Sequence, residues 1–408
     1  MKFTRVFAFM ALAGLAGSAF ATNGMFSHGY GMKSKGMAGA SSAMSDDAFA
    51  GANNPAAAAF AGDRIDLGVD LFSPRREASM DNWGGSGMNV SEDSESNYFL
   101  IPEFGYNSMI SDSMAWGVTV YGNGGMNTDY PEVVPGTNFY GGSGNLGVDL
   151  IQLVIAPTFA FKVAPNHSLG ISPLIGYQRF TADGFPAGAN GPISDSTDDA
   201  WGFGVRVGYM GKLTPDWTIG AAYASKIDFQ EFDKYNNLFL DQGDLDLAEN
   251  WNLGVAWQAT PEIKLALDYQ QINYSGVTAI GTPAMQGGFG WDDAKVWKLG
   301  AEYKLSQQMT LRAGYSHTNS PIEGADAAAC GAGSDNCMEV TQNIVAPGVI
   351  EDHLTLGMTY TLESGDEMTF AYMHGFENEV SGYDALSTGT DTIKMYQNSF
   401  GFQYSWKM

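Results

Sequence analysis

The C-terminal stretch Ser399-Phe400-Gly401-Phe402-Gln403-Tyr404-Ser405-Trp406-Lys407-Met408 alternates apolar side chains with small or polar ones without a break. Alternation with a period of two places the apolar side chains on one face of a β-strand and the others on the opposite face. Comparable patterns surround Trp201, Trp251 and Trp297. The sequence therefore predicts a series of strands that each have one apolar face.

Fourteen such segments can be counted along the chain, and the connections between them alternate in length. Their predicted bounds are 62–77, 96–110, 113–123, 147–163, 167–182, 199–213, 217–231, 247–259, 263–277, 291–305, 308–319, 349–363, 366–379 and 392–408. The connections after even-numbered strands are brief, whereas those after odd-numbered strands run to roughly ten to thirty residues, and this asymmetry is typical of outer-membrane barrels. Aromatic residues near the strand ends also fit the two membrane interfaces. We predict that residues 62–408 form a closed, all-β, 14-stranded antiparallel transmembrane β-barrel; a secreted array of β-sandwiches is the alternative.

The composition agrees with a wall of strands. The chain has 52 Gly, 13% aromatic residues and only 16% charged residues. Glycine is unfavourable in helix interiors, and the charged fraction of ordinary soluble proteins is about 25%. The formal net charge of −25 excludes a nucleic-acid-binding protein, because neutralising phosphates requires clusters of Lys and Arg.

The N-terminus has the features of a secretory signal peptide. Lys2 and Arg5 precede an apolar run at 6–16, and Ala19-Phe20-Ala21 follows as a cleavage site. We predict that residues 1–21 are removed and that the mature protein begins at Thr22. The chain is thus expected to be exported, and the barrel pattern places it in the bacterial outer membrane.

Residues 22–61 do not alternate and are rich in Gly, Ala, Ser and Met. Asn54-Pro55-Ala56 opens an alanine run, which predicts an N-cap at Asn54, proline at the first helical position and a short helix. A fourteen-stranded barrel is too wide to be filled by its own side chains. We therefore predict that residues 22–61 plug the lumen; a flexible periplasmic tail is the alternative.

This sequence resembles the outer-membrane transporters of hydrophobic compounds of the FadL/TodX type. The resemblance rests on the Gly-rich N-terminal segment, Asp46-Asp47-Ala48, Asn54-Pro55-Ala56 and Gly290-Trp291-Asp292-Asp293. It implies that residues 22–61 are a hatch with Asp46, Asp47, Asn54, Pro55 and Ala56 as its motif, and that the chain takes up long-chain fatty acids or hydrocarbons passively.

The resemblance also implies a side exit where the third strand kinks inward. Gly122, Asn123 and Gly124 occupy the matching place, and Gly and Asn tolerate backbone angles that interrupt strand pairing. An ordinary strand end running into the next loop is the alternative.

Candidate ligand contacts come from three regions. Met25, Phe26 and Tyr30 of the hatch are candidates to line an apolar pocket. The inward-facing cations Arg206, Arg312, Lys298 and Lys226 could each receive a carboxylate, or instead form ion pairs within the lumen. In the loops, Phe139, Tyr140 and Phe185 are candidates for an entry groove, although mutual packing of the loops explains them equally well.

The remaining predictions concern chemistry and partners. Cys330 and Cys337, seven residues apart in an exported chain, are expected to form a disulfide. We expect no cofactor, no metal site and no enzymatic activity, although acidic clusters in the loops leave Ca²⁺ as an alternative. The expected partners of a monomeric barrel are a hydrophobic ligand, the lipid bilayer, lipopolysaccharide and the barrel-assembly machinery. A porin for polar solutes and an adhesin remain the alternative functions.

Overall fold

Fourteen strands form one closed antiparallel barrel within the part of the chain that the computed structural model describes, residues 23–188 and 191–408. The predicted signal peptide lies outside the described residues. The strands are numbered β1 to β14 in chain order. They are β1 Arg64–Met80, β2 Phe99–Ser111, β3 Met114–Tyr130, β4 Leu146–Ala164, β5 His167–Asp183, β6 Asp198–Lys212, β7 Trp217–Ala224, β8 Asn250–Gln258, β9 Ile263–Ile272, β10 Ala294–Lys304, β11 Met309–Thr318, β12 Asp352–Thr361, β13 Glu367–Asp384 and β14 Gly389–Lys407.

The barrel closes because its first and last strands pair along their whole length. The register between β1 and β14 runs from Arg64 opposite Lys407 to Met80 opposite Asp391. Closure removes the unpaired backbone groups of an edge strand, which a lipid environment could not satisfy. The predicted fold class is thus confirmed.

The two faces of the wall divide as the alternation predicts. Outward-facing aromatic residues are well exposed, with Phe203 66% and Trp297 54% exposed. On β14, Phe400 faces outward, whereas its neighbour Ser399 and the inward-facing Gln403 are buried. The wall therefore presents apolar side chains to lipid and polar side chains to the lumen.

Four predicted strand ends were wrong by five residues or more. β9 ends at Ile272 instead of 277, and β13 continues to Asp384 instead of ending at 379. The other two differ by seven residues. β3 continues to Tyr130, beyond the predicted end at 123, because the chain resumes pairing with β4 after an irregularity. β7 ends at Ala224 instead of 231, because Ile227 then pairs with Leu247, and Asp228–Phe229 forms a two-residue strand on β6. Lys226 was predicted to lie on the lumen face of a strand, but it follows the end of β7 and pairs with Asp246 in the loop between β7 and β8.

The long loops contain one further short strand and several helical turns. The short strand, Val90–Asp93, pairs with the outer end of β1. Helices in the loops are Leu240–Gly243, Thr278–Gly281, Ala327–Gly331 and Glu339–Gln342, with 3₁₀ turns at Trp83–Gly85, Asp233–Tyr235, Tyr274–Gly276, Ala284–Gln286 and Asn343–Val345. Among the described residues, no helix is long and apolar enough to span a membrane. Cys330 and Cys337 are joined by a disulfide with a Cα–Cα distance of 5.5 Å.

Residues 23–61 lie inside the barrel and are called the plug segment here. Its regular elements are the helices Met32–Lys35 and Ala58–Ala61 and the 3₁₀ turns Phe49–Gly51 and Pro55–Ala57. The side chain of Asn54 accepts a hydrogen bond from the amide of Ala56, and Pro55 occupies the first position of the turn. The predicted cap is therefore present, and the alanine run that follows forms the short helix.

Candidate ligand channel and its plug

The plug segment is in close contact with the inner wall at positions where the wall carries glycine. A Cβ atom at Gly314 would lie 2.4 Å from the carbonyl carbon of Met37, and one at Gly220 would lie 1.9 Å from the carbonyl oxygen of Ser42. Any side chain at these positions would displace the backbone of the plug segment. The inward-facing glycines thus allow the plug segment to dock.

The cap residue of the plug segment also fastens it to the wall. The side-chain amide nitrogen of Asn54 donates to the backbone carbonyl oxygen of Ser42 at 2.7 Å and to that of Tyr209, on β6, at 3.0 Å. The Ala56 carbonyl accepts a hydrogen bond of 2.8 Å from Ser168 on β5. Asn54, Pro55 and Ala56 therefore join the plug segment to two neighbouring strands.

Ion pairs hold the plug segment at the end of the lumen where the strand connections are short. Lys33 lies 2.7 Å from Glu367. Arg64 donates to the backbone carbonyl of Asp46 at 2.7 Å, and the Asp46 carboxylate lies 3.5 Å from Lys264. The Asp47 carboxylate instead accepts a hydrogen bond of 3.0 Å from the backbone amide of Phe49, within the plug segment. The hatch-motif aspartates therefore lie in a mixed-charge network between plug and wall.

A second ionic contact lies deeper in the lumen. The Lys35 ammonium lies 2.8 Å from both Asp70 on β1 and Glu103 on β2, and all three side chains are buried. Burial alone would lower the pKa of Lys35, but the two carboxylates outweigh burial and hold that pKa above its ordinary value. Glu103 also accepts a hydrogen bond of 3.0 Å from the Gly31 amide. Lys35 is therefore held in its charged form at the wall.

Strands β2 and β3 separate over the outer half of β3. Their pairing runs from Ser111 opposite Met114 only as far as Phe104 opposite Val120. Beyond it, β4 is the one strand among the described residues that pairs with β3, and the register with β4 shifts at Asn123, between Gly122 and Gly124. The predicted irregularity is present, and the unpaired stretch between β2 and β3 is called the seam here.

The plug segment contacts both sides of the seam. On the β3 side, the Tyr30 hydroxyl donates to the Asn123 side chain at 2.5 Å, and the Ser27 amide donates to the Asn123 carbonyl at 3.3 Å. On the β2 side are the contacts of Gly31 and Lys35 with Glu103. A short piece of the plug segment thus bridges the stretch over which β2 and β3 do not bond each other.

The predicted pocket residues Met25, Phe26 and Tyr30 are buried in the main apolar cluster of the lumen. The Met25 amide donates to the Tyr274 hydroxyl at 2.8 Å. The adjacent cavity, lined by Met25, Phe72 and Trp291 among others, has a volume of only about 20 Å³. That is room for about one water molecule, so the plug segment fills the space a ligand would need.

The predicted carboxylate receptors do not converge on this cavity. Arg312 is paired with Glu302 at 2.6 Å, near the ionic network described above. Arg206 donates to the Gly51 carbonyl at 3.2 Å, and Lys298 donates to the His28 carbonyl at 3.1 Å. Arg312 thus follows the ion-pair alternative, while Arg206 and Lys298 bind the plug backbone.

The predicted entry-groove residues lie together at the loop end of the barrel. The rings of Tyr140 and Phe185 meet edge to face at 5.7 Å, and Phe139 packs on Tyr130 at 5.5 Å. The Tyr140 hydroxyl donates to the Thr341 carbonyl at 2.7 Å. All three predicted residues also line an open cleft of about 590 Å³ with Trp83. The loops therefore pack on one another and leave a groove between them.

Electrostatics in the loops are dominated by acidic residues. Burial, together with Asp292 and Glu323, raises the pKa of Glu339 to about 8. Within residues 23–188 and 191–408, no three His, Cys, Asp or Glu side chains are arranged to hold a metal ion.

Several residues that contact the plug segment or line the cavity were not among the predicted site residues. Glu103, Asn107 and Arg76 all lie on the inner face of strands, and strand alternation could have placed each of them there. Alternation carries no information about which plug residue would meet which wall residue. The contacts of Lys35 with Glu103 and of Ala58 with Asn107 were therefore not predictable.

Comparisons with known proteins agree with this architecture. The profile of the family described as "Outer membrane protein transport protein (OMPP1/FadL/TodX)" matches residues 8–397. The long-chain fatty acid transport protein of Escherichia coli O6:H1 is 23% identical over 328 residues, which cover 67% of this chain and 69% of that protein.

Among solved structures, the Pseudomonas putida toluene transporter TodX superposes with a TM-score of 0.69 at 18% identity, covering 93% of this chain and 99% of that one. A Pseudomonas aeruginosa FadL homologue superposes with a TM-score of 0.68 at 18% identity, covering 94% and 99% respectively. At these identities the superpositions concern the fold.

Proposed function

Because the chain belongs to the outer-membrane transport protein family that includes FadL and TodX, we propose that it is a passive channel for fatty acids or hydrocarbons, gated by the plug segment and emptied sideways through the seam. Residues 1–21 would serve as the signal peptide, 22–61 as the hatch and 62–408 as the barrel. No catalytic role is assigned to any residue. The observation that carries this proposal is the seam with the plug segment bonded across it.

A sideways exit fits the solubility of the ligand. A hydrophobic molecule that left the barrel along its axis would enter water, whereas one leaving through the wall would remain in hydrocarbon. The wall provides such a place where β2 and β3 are unpaired, beyond Phe104 and Val120. Gly122, Asn123 and Gly124, which carry the register shift of β3 against β4, begin two residues after Val120, the last residue paired with β2.

Gating by the plug segment is supported by how tightly the lumen is filled. The cavity beside Met25 holds about 20 Å³, far less than a fatty acid or toluene would occupy. A ligand can therefore pass only if the segment near Met25, Phe26 and Tyr30 moves. The Tyr30 hydrogen bond to Asn123 then breaks, which couples movement of the plug segment to the seam.

We propose that the loop groove of Phe139, Tyr140 and Phe185 binds the hydrophobic ligand first, from the outer side of the membrane. Apolar side chains around an open cleft on the outer end provide a landing site for a hydrophobic molecule. We infer that the acidic loops meet lipopolysaccharide through bridging divalent cations and that the barrel-assembly machinery inserts the chain as a monomer.

Deletion of Asn123 tests the lateral exit. Removing the extra residue should restore the register of β3 with β4 and favour pairing of β3 with β2 along the seam. We expect uptake of radiolabelled oleate or toluene into cells to fall at least tenfold. Deletion of Asn82, in the exposed turn before Trp83, is the matched control and should leave uptake unchanged. Undiminished uptake by the folded Asn123 deletion would exclude the seam as the exit.

Liposome swelling separates this proposal from a porin. The intact chain should exclude sugars, whereas a chain lacking residues 22–61 should admit ions and small sugars freely. Rapid sugar entry through the intact chain would instead support a porin, and normal growth of a deletion strain on oleate and on alkanes would support an adhesin.

A further inference from the structure

The loop between β11 and β12 turns into the outer end of the lumen. Its residues 343–350 are buried, and most of their apolar side chains belong to the main apolar cluster. Residues 338–348 are called the connecting segment here, because they touch two separate spaces. Met338, Thr341 and Gln342 line the loop groove, and Ala346, Pro347 and Gly348 line the small cavity that Met25 and Arg76 share. The connecting segment therefore lies between the groove and the docked end of the plug segment.

At the groove, the connecting segment is bonded to Tyr140. The Tyr140 hydroxyl donates to the carbonyl of Thr341 at 2.7 Å and to that of Gln342 at 3.2 Å. The ring of Tyr140 meets that of Phe185 edge to face at 5.7 Å, and both rings line the groove. An apolar molecule in the groove contacts this pair of rings. If it displaces the Tyr140 ring, both hydrogen bonds to the connecting segment break.

Further along, Asn343 joins the connecting segment to Trp291. The Asn343 side-chain oxygen accepts a hydrogen bond of 2.6 Å from the indole nitrogen of Trp291. Its side-chain nitrogen donates to the carbonyls of Phe289, at 2.6 Å, and Glu339, at 2.8 Å. Both Asn343 and Trp291 are buried, so loss of this bond would leave polar groups unsatisfied. The position of Asn343 therefore fixes that of the indole ring.

Trp291 in turn contacts the first described residues of the plug segment. Its ring meets that of Tyr274 edge to face at 5.1 Å, and the Tyr274 hydroxyl accepts a hydrogen bond of 2.8 Å from the Met25 amide. Gly24 lies directly against the indole, because a Cβ atom at Gly24 would lie 2.9 Å from Cζ3 of Trp291. A shift of the indole ring therefore disturbs the contacts that dock Gly24 and Met25.

The connecting segment is also bonded to the β3 side of the seam. The Thr128 hydroxyl, on β3 beyond the irregularity, donates to the Val345 carbonyl at 2.9 Å. Groove, plug segment and seam thus share one chain of contacts. These contacts are neutral hydrogen bonds and ring contacts, which contribute less than the buried ion pairs that hold residues 33–61. They are consequently the contacts that a molecule bound in the groove can release most easily.

We propose that Asn343 and Trp291 are positioning residues that transmit occupancy of the loop groove to the plug segment. A hydrophobic molecule in the groove displaces Tyr140, the connecting segment shifts, and Trp291 no longer holds the plug residues beside it. This inference rests on the proposed transport function and adds an order of events, in which filling of the groove promotes release of the plug segment. By thermodynamic linkage, release of the plug segment strengthens binding in the groove by the same factor.

A hydrophobic group tethered in the groove tests this relay without entering the cavity. The two cysteines of the chain form the disulfide, so the substitution L386C supplies a single free thiol. Leu386 lines the groove and is 86% exposed. Pyrene maleimide attached there is far larger than the cavity of about 20 Å³ beside Met25. M88C with the same label is the matched control, because Met88 is an exposed residue of the loop after β1, outside the groove.

The readout is hydrogen exchange of plug residues 24–31 in the full-length chain in detergent micelles. Heat-modifiable migration on a gel reports whether each variant is folded. Pyrene at position 386 should raise the exchange rate at least about fivefold over unlabelled L386C, the lower end of the coupling typical between two sites. Pyrene at position 88 should leave the exchange rate unchanged.

Two further variants interrupt the relay at different points. Y140F loses the hydroxyl bonds to the connecting segment and should raise exchange of residues 24–31 without any label. Y235F is its control, because the Tyr235 hydroxyl bonds Ala182 and Ser196 instead. W291F keeps an aromatic ring but loses the N–H donor to Asn343. In W291F, labelled and unlabelled L386C should exchange at about the same rate, whereas a merely structural role of Trp291 would leave the response to pyrene intact.

The outcomes separate this proposal from the transport function. No change of exchange on labelling L386C, an equal rise on labelling M88C, or an undiminished response in W291F would each overturn the relay. Uptake of radiolabelled oleate by cells that carry the intact chain reports on transport independently. Normal uptake without a response of the plug segment would refute the relay alone, whereas absence of uptake would remove the transport function itself.

Discussion

Replacing Lys35 by methionine should release the plug segment from the barrel. Lys35 is the only cation within ion-pairing distance of the buried carboxylates of Asp70 and Glu103 in the described part of the chain, at 2.8 Å from each. Methionine preserves the length of the side chain but leaves both carboxylates without a counter-charge. Breaking a buried ion pair by removing one partner costs about 3–5 kcal/mol.

That cost falls on docking of the plug segment and hardly on the barrel, because β1 and β2 retain all their backbone pairing. A loss of about 3–5 kcal/mol increases the undocked population by roughly two to three and a half powers of ten. The variant K35M/D70N/E103Q replaces both carboxylates by neutral amides of similar size. We expect it to regain most of the lost docking, because no unpaired charge remains.

Ion conductance across planar bilayers measures the undocked population. K35M should show frequent open events, whereas wild type and the triple variant should remain mostly closed. K226M is the control, because Lys226 pairs with Asp246 of a loop and not with a residue of the plug segment. A folded K35M barrel that conducts like wild type would refute the argument. A triple variant as open as K35M would show that unpaired charge is not the cause.

Three further predictions concern the plug segment and the loops. G314A should open the channel to ions, because the added Cβ would meet the plug backbone at 2.4 Å, whereas G68A, with 3.6 Å to its nearest neighbours, should not. In hydrogen exchange, plug residues 24–31 should exchange before residues 32–61; simultaneous exchange would contradict unequal docking. Because the folded chain raises the pKa of Glu339 to about 8, the surrounding loop should lose stability as pH rises from about 4.5 to 8. Its exchange, corrected for intrinsic rates, should rise over that window in wild type and stay flat in E339Q.

Strand alternation explains why the barrel was predictable. A residue such as Phe400 faces lipid because its neighbours Ser399 and Gly401 face the lumen, and this information is contained in a few consecutive positions. Fourteen segments of this kind, with short and long connections in turn, determine the closed barrel. Even the irregularity at Asn123 has a local signal in the two flanking glycines.

The contacts within the lumen could not be predicted in the same way. Lys35 meets Glu103 across 68 positions in the chain, and only the docked plug segment brings them together. Arg312 pairs with Glu302 on the neighbouring strand, and strand alternation alone could not choose between this ion pair and a ligand carboxylate. The seam depends likewise on where β2 stops pairing, which is a property of two strands and not of one.

The unequal strength of the plug contacts indicates which part of the segment moves. Residues 33–61 are held by buried ion pairs, such as Lys33 with Glu367. The preceding residues are held at the seam mainly by neutral hydrogen bonds, such as that of Tyr30 with Asn123. A neutral hydrogen bond contributes about 0.5–1.5 kcal/mol, several times less than the loss of a buried ion pair costs. The stretch around Met25 and Tyr30 can therefore detach while the ion-paired remainder stays docked, and that partial movement vacates the cavity beside Arg76 and frees the β3 side of the seam.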